Sequence, residues 1–201
     1  MRAVIICNGS INDYEYIKSK IHPDDYIICA DGGYIHAMKM NIKPDIVIGD
    51  LDSSPEIEDV SIMKYPVRKD YTDGEISIRY AMDNGYDDIL ILGATGDRMD
   101  HTMTDIFLLT LCKNGCLIDD NNEIYLIRNH LEVYGKKGDT VSILPINGDL
   151  EGITTEGLEY PLKNETLYFG KSRGVSNVME NDTCCIETAR GLGLLIKVRN
   201  I

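Results

Sequence analysis

Asp50 and Asp52 stand two residues apart in the run Gly49-Asp50-Leu51-Asp52-Ser53. Two carboxylates in one short loop repel, and each raises its neighbour's pKa unless a cation is present. Such a loop suits Mg²⁺, which takes a few carboxylates, keeps several waters and completes its shell with substrate phosphates. More acids recur at intervals: Asp31 in Asp31-Gly32-Gly33, Asp70 and Asp73 in Lys69-Asp70-Tyr71-Thr72-Asp73, and Asp97 and Asp100 in Gly96-Asp97-Arg98-Met99-Asp100-His101. Any one of these aspartates is ordinary as a loop residue or helix cap, Asp31 and Asp73 included. As a set they point to a cation. Arg98 offers a planar fork for phosphate oxygens, or else a salt bridge to Asp97 or Asp100. His101 either hydrogen-bonds within its acidic loop or carries a proton, and the structural role is the favoured one. Gly32-Gly33 and the turn Gly93-Ala94-Thr95-Gly96 would let backbone come close to a ligand ahead of a helix N-terminus, which attracts anions. Neither GxxxxGK[ST] nor a GxGxxG after the first apolar run is present, so a nucleotide would be held by another device.

These residues need elements to position them, and the sequence supplies an alternation. Continuous apolar runs at Ala3 to Cys7, Tyr26 to Ala30, Asp45 to Ile48 and Asp88 to Leu92 read as strands covered on both faces. A weak strand is expected at Lys64 to Val67, and Glu123 to Ile127 as the last strand of this half. Helices are expected over Asp13 to Lys20, Tyr34 to Met40, Asp73 to Asn84 and Met99 to Lys113. The last should bury Met103, Ile106, Phe107 and Leu111 on one stripe. Strands alternating with helices predict an α/β domain with a mostly parallel sheet, over residues 1–128. Strand ends of a parallel sheet share one edge, and ligands bind there. Asp31, Asp50, Asp52 and the Gly96 to His101 loop all follow predicted strands, so acids far apart in sequence are expected to converge.

After about Asn129 the pattern changes. Glycines recur regularly between short alternating segments such as Thr140 to Pro145 and Leu194 to Val198. No stretch has helical period. Residues 129–201 are therefore expected to form an all-β sandwich or barrel.

The net charge of −13 argues against nucleic acid or an anionic membrane as partner, since both need a basic face. It also means that a bound triphosphate needs metal ions and a few local cations to reverse the field. No apolar run approaches the ~20 residues that span a bilayer. The apolar start ends at Asn8-Gly9, too short for a signal peptide, so a cytoplasmic location is expected. The six cysteines lack the spacing of a disulfide framework. Cys112 and Cys116 have helical spacing but no second Cys/His pair near them, so buried thiols are favoured over zinc.

The ordered series Ala30-Asp31-Gly32-Gly33, Pro44-Asp45 through Ile48-Gly49-Asp50-Leu51-Asp52-Ser53, Lys69-Asp70-x-Thr72-Asp73 and Gly96-Asp97-Arg98-x-Asp100-His101 closely resembles the thiamine pyrophosphokinase family. Ser172-Arg173-Gly174-Val175-Ser176-Asn177 resembles that family's Ser-Asn segment. The likeness covers nearly the whole chain. It implies an ATP- and Mg²⁺-binding α/β domain, a C-terminal β-sandwich that binds thiamine, and a homodimer with its sites at the subunit interface. It implies active-site roles for Asp50, Asp52, Thr72, Asp73, Arg98 and Asp100, with Asp50, Asp52, Asp73 and Asp100 toward the metal. Asp31, Gly32, Gly33, Lys69, Asp70, Thr95, Gly96 and His101 would border the nucleotide, and Ser176 and Asn177 the thiamine. Asp73 and Asp100 are equal candidates for proton acceptor. Some members stack the thiamine pyrimidine on a tryptophan; this chain has none, and Tyr168 and Phe169 are the aromatic side chains nearest the Ser-Asn segment.

Two other readings compete. Asp50-x-Asp52-x-Ser54 resembles the DxDx[TV] loop of haloacid-dehalogenase-type phosphatases, although it follows the third strand and Ser54 replaces the usual Thr or Val. A non-catalytic nucleotide- or metal-binding module would use the same acidic edge.

Overall fold

A computed structural model describes residues 1–50, 60–65 and 70–199. The chain divides into two compact units, Met1–Asp120 and Asn121–Ile201.

In the first unit six strands form a parallel sheet: β1 (Arg2–Ile6), β2 (Tyr26–Ala30), β3 (Ile46–Gly49), β4 (Ser61–Lys64), β5 (Asp88–Leu92) and β6 (Asn114–Ile118). Their spatial order is β6-β5-β1-β2-β3-β4, each neighbouring pair parallel. Helices α1 (Tyr14–Ser19), α2 (Gly33–Lys39), α3 (Asp73–Asp83) and α4 (Met99–Leu108) lie between strands in sequence. Val4 and Ile6 of β1, Ile27 and Cys29 of β2 and Leu90 and Leu92 of β5 share one core with Ile17 of α1 and Ala37 of α2. Alternate residues such as Ile5, Ile28 and Ile91 are equally buried. Side chains alternate across a strand, so these point to the opposite face. Burial on both faces is what the unbroken apolar runs encode.

Strands added after β1 proceed outward as β2, β3 and β4, whereas β5 and β6 lie on its other side. The order therefore reverses between β1 and β5, the place where ligands settle in open parallel sheets.

Three expectations are corrected here. Glu123 to Ile127 does not close the parallel sheet. Those residues belong to β7 (Asn122–Ile127), which pairs antiparallel with a strand of the second unit. The last parallel strand is β6, hidden in sequence because Asn114 and Gly115 dilute a three-residue apolar run. The α4 stripe is also displaced. Leu108 and Leu109 are buried, whereas Met103 and Phe107 are 43% and 46% exposed. The helix stops at Leu108 and a 3₁₀ turn over Leu109–Leu111 follows, so the face that reaches the core lies one position away from the one a longer helix would present. The weak strand expected at Lys64 to Val67 shares only Lys64 with β4, and Tyr65 lies past its end; Pro66 and Val67 lie outside the described residues.

The second unit is a two-sheet sandwich. One sheet holds β7, β14 (Gly193–Val198), β9 (Thr140–Pro145) and β12 (Asn177–Val178), in that order. The other holds β8 (His130–Tyr134), β13 (Thr183–Glu187), β10 (Leu150–Glu156) and β11 (Glu165–Leu167). Val141, Ile143 and Leu195 from the first sheet meet Val133, Ile153, Cys184 and Ile186 from the second in one core. Burial in β9 alternates residue by residue, as expected for a strand with one wet face. Gly152, at φ +65°, makes the bulge that shifts the β10–β11 register.

Lys197 and Glu123 face each other across β14 and β7, at 9% and 6% exposure. Their ion pair is 2.8 Å long. Lys197 also donates to the Tyr134 carbonyl at 2.7 Å, and the Tyr125 hydroxyl donates to Glu123 at 2.6 Å. A buried charge pair is tolerable when it is so completely hydrogen-bonded.

Candidate active site

At the reversal of strand order the loops after β1 and β5 run side by side. Cys7 N–H donates to the Leu92 carbonyl at 2.8 Å, Gly9 N–H to Gly93 at 2.6 Å and Ser10 N–H to Thr95 at 2.7 Å. The approach requires glycine at position 9, since a Cβ there would lie 2.3 Å from the Thr95 carbonyl oxygen. A cleft of about 480 Å³ opens over these loops. Its rim collects residues from three strand ends and one helix start: Asn8 to Ser10 after β1, Asp31 after β2, Gly93 to Arg98 after β5, and Thr72 and Asp73 at the start of α3. His101 and Asp105 of α4 complete it.

Asp31 is held at φ +46°, in the left-handed region that a residue with a Cβ enters at a cost. Its N–H donates to the Ile48 carbonyl at 2.8 Å, while its Oδ1 is buried without a hydrogen-bond partner. A buried carboxylate oxygen left unsatisfied is costly unless something binds there. Thr72 caps α3, its Oγ1 accepting from Glu75 N–H at 3.2 Å. That cap places Asp73 in the first helical turn, facing the cleft.

Arg98 points its fork at Asp100, Nε to Oδ1 at 2.9 Å and Nη2 to Oδ2 at 2.6 Å. The guanidinium holds the Asp100 carboxyl well below the usual carboxylate range. Both side chains are more than half exposed, so the pair adds little stability. The salt-bridge reading of Arg98 is thus realised, although the residue also lines the cleft.

Asp105 is a residue the sequence reading missed. It sits one turn beyond His101, and burial pushes its carboxyl up to about 6 against the opposing pull of His101. The signal was weak because Asp105 lies inside a helix, away from any loop or glycine. Cys7 also lines the cleft, and burial holds its thiol protonated well above the usual value.

Of the expected residues, Asp31, Thr72, Asp73, Thr95, Gly96, Arg98 and His101 line this one cleft; Asp50, Asp70 and Asp100 do not. Asp50 directly follows Gly49, whose Cα packs against the Asp31 backbone. Asp52 and Lys69 lie outside the described residues. Asp73 faces the cleft, while Asp100 turns to Arg98. Among the described residues no three His, Cys, Asp or Glu side chains gather closely enough to hold a metal by themselves. Gly32 and Gly33 are also absent from the lining. Their backbone approaches the protein itself, since a Cβ on Gly33 would lie 1.9 Å from the Ile6 carbonyl oxygen.

In the second unit the Ser-Asn segment is bound up in backbone contacts. Ser176 adopts φ +63°, and its N–H donates to Ser142 Oγ at 3.1 Å. The Asn177 carboxamide grips Tyr160 on both sides, accepting from its N–H at 3.0 Å and donating to its carbonyl at 2.8 Å. Tyr160 is left 63% exposed, beside 59% each for Tyr168 and Phe169.

Residues 17–126 match the family model described as thiamin pyrophosphokinase, catalytic domain, and residues 125–192 match thiamin pyrophosphokinase, vitamin B1 binding domain. The chain belongs to the thiamin pyrophosphokinase family. Thiamine pyrophosphokinase of Bacillus subtilis is 29% identical over 188 residues, covering 85% of this chain and 86% of that protein. Thiamine pyrophosphokinase 1 of Oryza sativa subsp. japonica is 28% identical, covering 86% and 79%. The crystal structure of the Bacillus subtilis thiamine pyrophosphokinase superposes with a TM-score of 0.88 at 23% identity, over 100% of both chains. That of yeast thiamin pyrophosphokinase gives 0.73 at 21%, over 98% and 86%. Neither the phosphatase reading nor the non-catalytic one finds support in these likenesses.

Proposed function

We propose that this chain transfers the diphosphate of ATP to the hydroxyl of thiamine, giving thiamine diphosphate and AMP. The thiamine oxygen attacks the β-phosphorus in line. As the new bond forms, the bond from that phosphorus to the oxygen joined to the α-phosphorus breaks, and AMP departs with the electron pair. The hydroxyl proton is lost to a carboxylate or to solvent. Positioning and charge neutralisation dominate such transfers.

The observation that carries the reading is one cleft at the reversal of strand order that gathers Asp31, Thr72-Asp73 and the Gly93 to Arg98 loop. Backbone at the glycine turn favours phosphate oxygens, and Arg98 adds a fork if Asp100 yields it. The residues present also fit a Mg²⁺ ion. Asp31 offers an unsatisfied buried oxygen and Asp73 lies on the same cleft, and Mg²⁺ held with substrate phosphates needs only one or two carboxylates. Asp31 and Asp73 would hold it, with Asp50 and Asp52 as further acids of the family motif. Bound there, the ion would neutralise charge on the phosphate oxygens. Asp100 then serves to orient Arg98.

Tyr160 is the aromatic side chain we assign to the thiamine rings, in preference to Tyr168 or Phe169. Its backbone is fixed on both sides by Asn177 while its ring stays open. An aromatic face suits a cationic heterocycle. Asn177 acts through Tyr160 and not on the substrate.

The working unit is proposed to be a homodimer with its sites at the subunit interface. Met99, Met103 and Phe107 are spaced one turn apart on α4 and are 66%, 43% and 46% exposed, which supports a covered face. Six free cysteines fit the reducing cytoplasm. Among the described residues no helix is long and apolar enough to cross a membrane.

The test is AMP formation from ATP and Mg²⁺ with and without thiamine. AMP should appear only with thiamine. ATP breakdown indifferent to thiamine, or a trapped aspartyl-phosphate, overturns the proposal.

A further inference from the structure

His36 lies in α2, outside every motif considered so far, and is only 8% exposed. Its Nε2 is 2.9 Å from the Gly9 carbonyl oxygen and its Nδ1 is 2.8 Å from the Tyr14 hydroxyl. A carbonyl oxygen only accepts, so Nε2 carries the proton and donates. In the neutral ring Nδ1 is then an acceptor and Tyr14 donates to it. Burial pulls the imidazole below the usual histidine value, which keeps the ring neutral.

The bond fixes the peptide plane between Gly9 and Ser10. That plane carries the Gly9 carbonyl on one side and the Ser10 N–H, donated to Thr95, on the other. Gly9 N–H is donated to Gly93. His36 thus holds the strip of backbone on which the glycine turn Gly93 to Gly96 rests. Beyond Ser10 the same loop is gripped by Asp120, which accepts from the N–H groups of Asn12 and Asp13, each at 2.9 Å. The loop is anchored at both ends, and the His36 anchor is the one at the cleft.

We infer that His36, its ring steadied by Tyr14 at Nδ1, is a positioning residue for the nucleotide: it fixes the Gly9–Ser10 peptide and through it the turn at Gly93 to Gly96. This rests on the reading of the cleft as the ATP site. His36 touches no substrate. Its loss should weaken ATP and leave thiamine alone, which a general loss of stability would not do.

The experiment compares H36L, H36Q and Y14F in the full chain. A glutamine Nε2 reaches about as far as the histidine Nε2, so H36Q keeps the donor that H36L removes. One positional hydrogen bond corresponds to roughly tenfold in affinity. H36L should raise the ATP KM about tenfold with the thiamine KM within about twofold, H36Q should recover most of that loss, and Y14F should fall between. If H36L fails to fold, Y14F and H36Q still decide, together with hydrogen exchange of the Ser10 amide, which should quicken in Y14F. That exchange is read without substrate, so it judges the anchor even if the wild-type chain forms no AMP, a result that counts against the function itself. An ATP KM unchanged in H36L, a parallel rise for thiamine, H36Q as impaired as H36L, or Ser10 exchange unaltered in Y14F would each overturn the inference.

Discussion

The rim of the parallel sheet and the Ser-Asn segment of the sandwich were both conspicuous in sequence, and they meet opposite fates in the fold. At the rim, Asp31 keeps a buried oxygen without a partner and Asp73 stands on an open cleft. In the sandwich, the Ser176 N–H and the Asn177 carboxamide are taken up by Ser142 and by the Tyr160 backbone. Polar residues at a parallel strand end face a crevice that the sheet cannot fill. The same residue types on a short edge strand such as β12 satisfy loops instead. On the proposed function, prominence in sequence signals a ligand in the first region and a scaffold in the second.

The sharpest way to break that contrast is to ask whether charge in the sandwich is structural. K197M takes the cation away from the buried Glu123 carboxylate, and should cost about 3–5 kcal/mol of stability in denaturant unfolding. A loss below about 1 kcal/mol would put the pair among ordinary surface bridges.

At the rim the expectation reverses. D73N should unfold within about 1 kcal/mol of wild type but lose about 10²–10³-fold in kcat. D100N removes only an exposed pair with Arg98, and should lose less activity than D73N. Steady-state kinetics of the two variants ranks them, and the opposite order would overturn the placement of Asp73 on the site.

Within the sandwich, Y160A should raise the thiamine KM about 3–30-fold, the range expected for one lost stacking contact, with the ATP KM unmoved. N177A should reproduce part of that effect with a lowered melting temperature. An N177A defect larger than that of Y160A would return the carboxamide to direct contact with substrate.

The smallest effect is a pH dependence at Asp105. Burial raises its folded-state carboxyl to about 6, above the value of an unfolded aspartate. Its contribution to stability is therefore fully present below about pH 4 and is lost as pH rises through about 6. Allowing for partial exposure, the loss is on the order of 1 kcal/mol. D105N should remove it, gaining stability on wild type between pH 4.5 and pH 8 in thermal unfolding. Parallel curves for the two proteins would show that the carboxyl is not destabilised by its burial.

How legible all this was depended on the range of the interaction. β2 and β5 run from Tyr26 to Ala30 and from Asp88 to Leu92, as the apolar runs predict, because double-faced burial leaves no room for polar alternation. α3 starts at Asp73 as expected, but its cap is Thr72 and not Asp73. β6 escaped because its burial is set by pairing with β5, not by its own composition. The antiparallel pairing of β7 with β14 was not legible, because an apolar strand carries no mark of its partner.

The sequence by itself determined the alternation of strands and helices, the change to a sandwich, and the acidic, glycine-bearing turns that carry the family likeness. All of these are written in residues close together along the chain. The tertiary structure alone decided that Asp73 faces the cleft while Asp100 turns to Arg98, that Asp105 joins the site, and that His36 holds Gly9. Those outcomes depend on strand order and on which helix packs over which loop, contacts between residues far apart in sequence that no local pattern encodes.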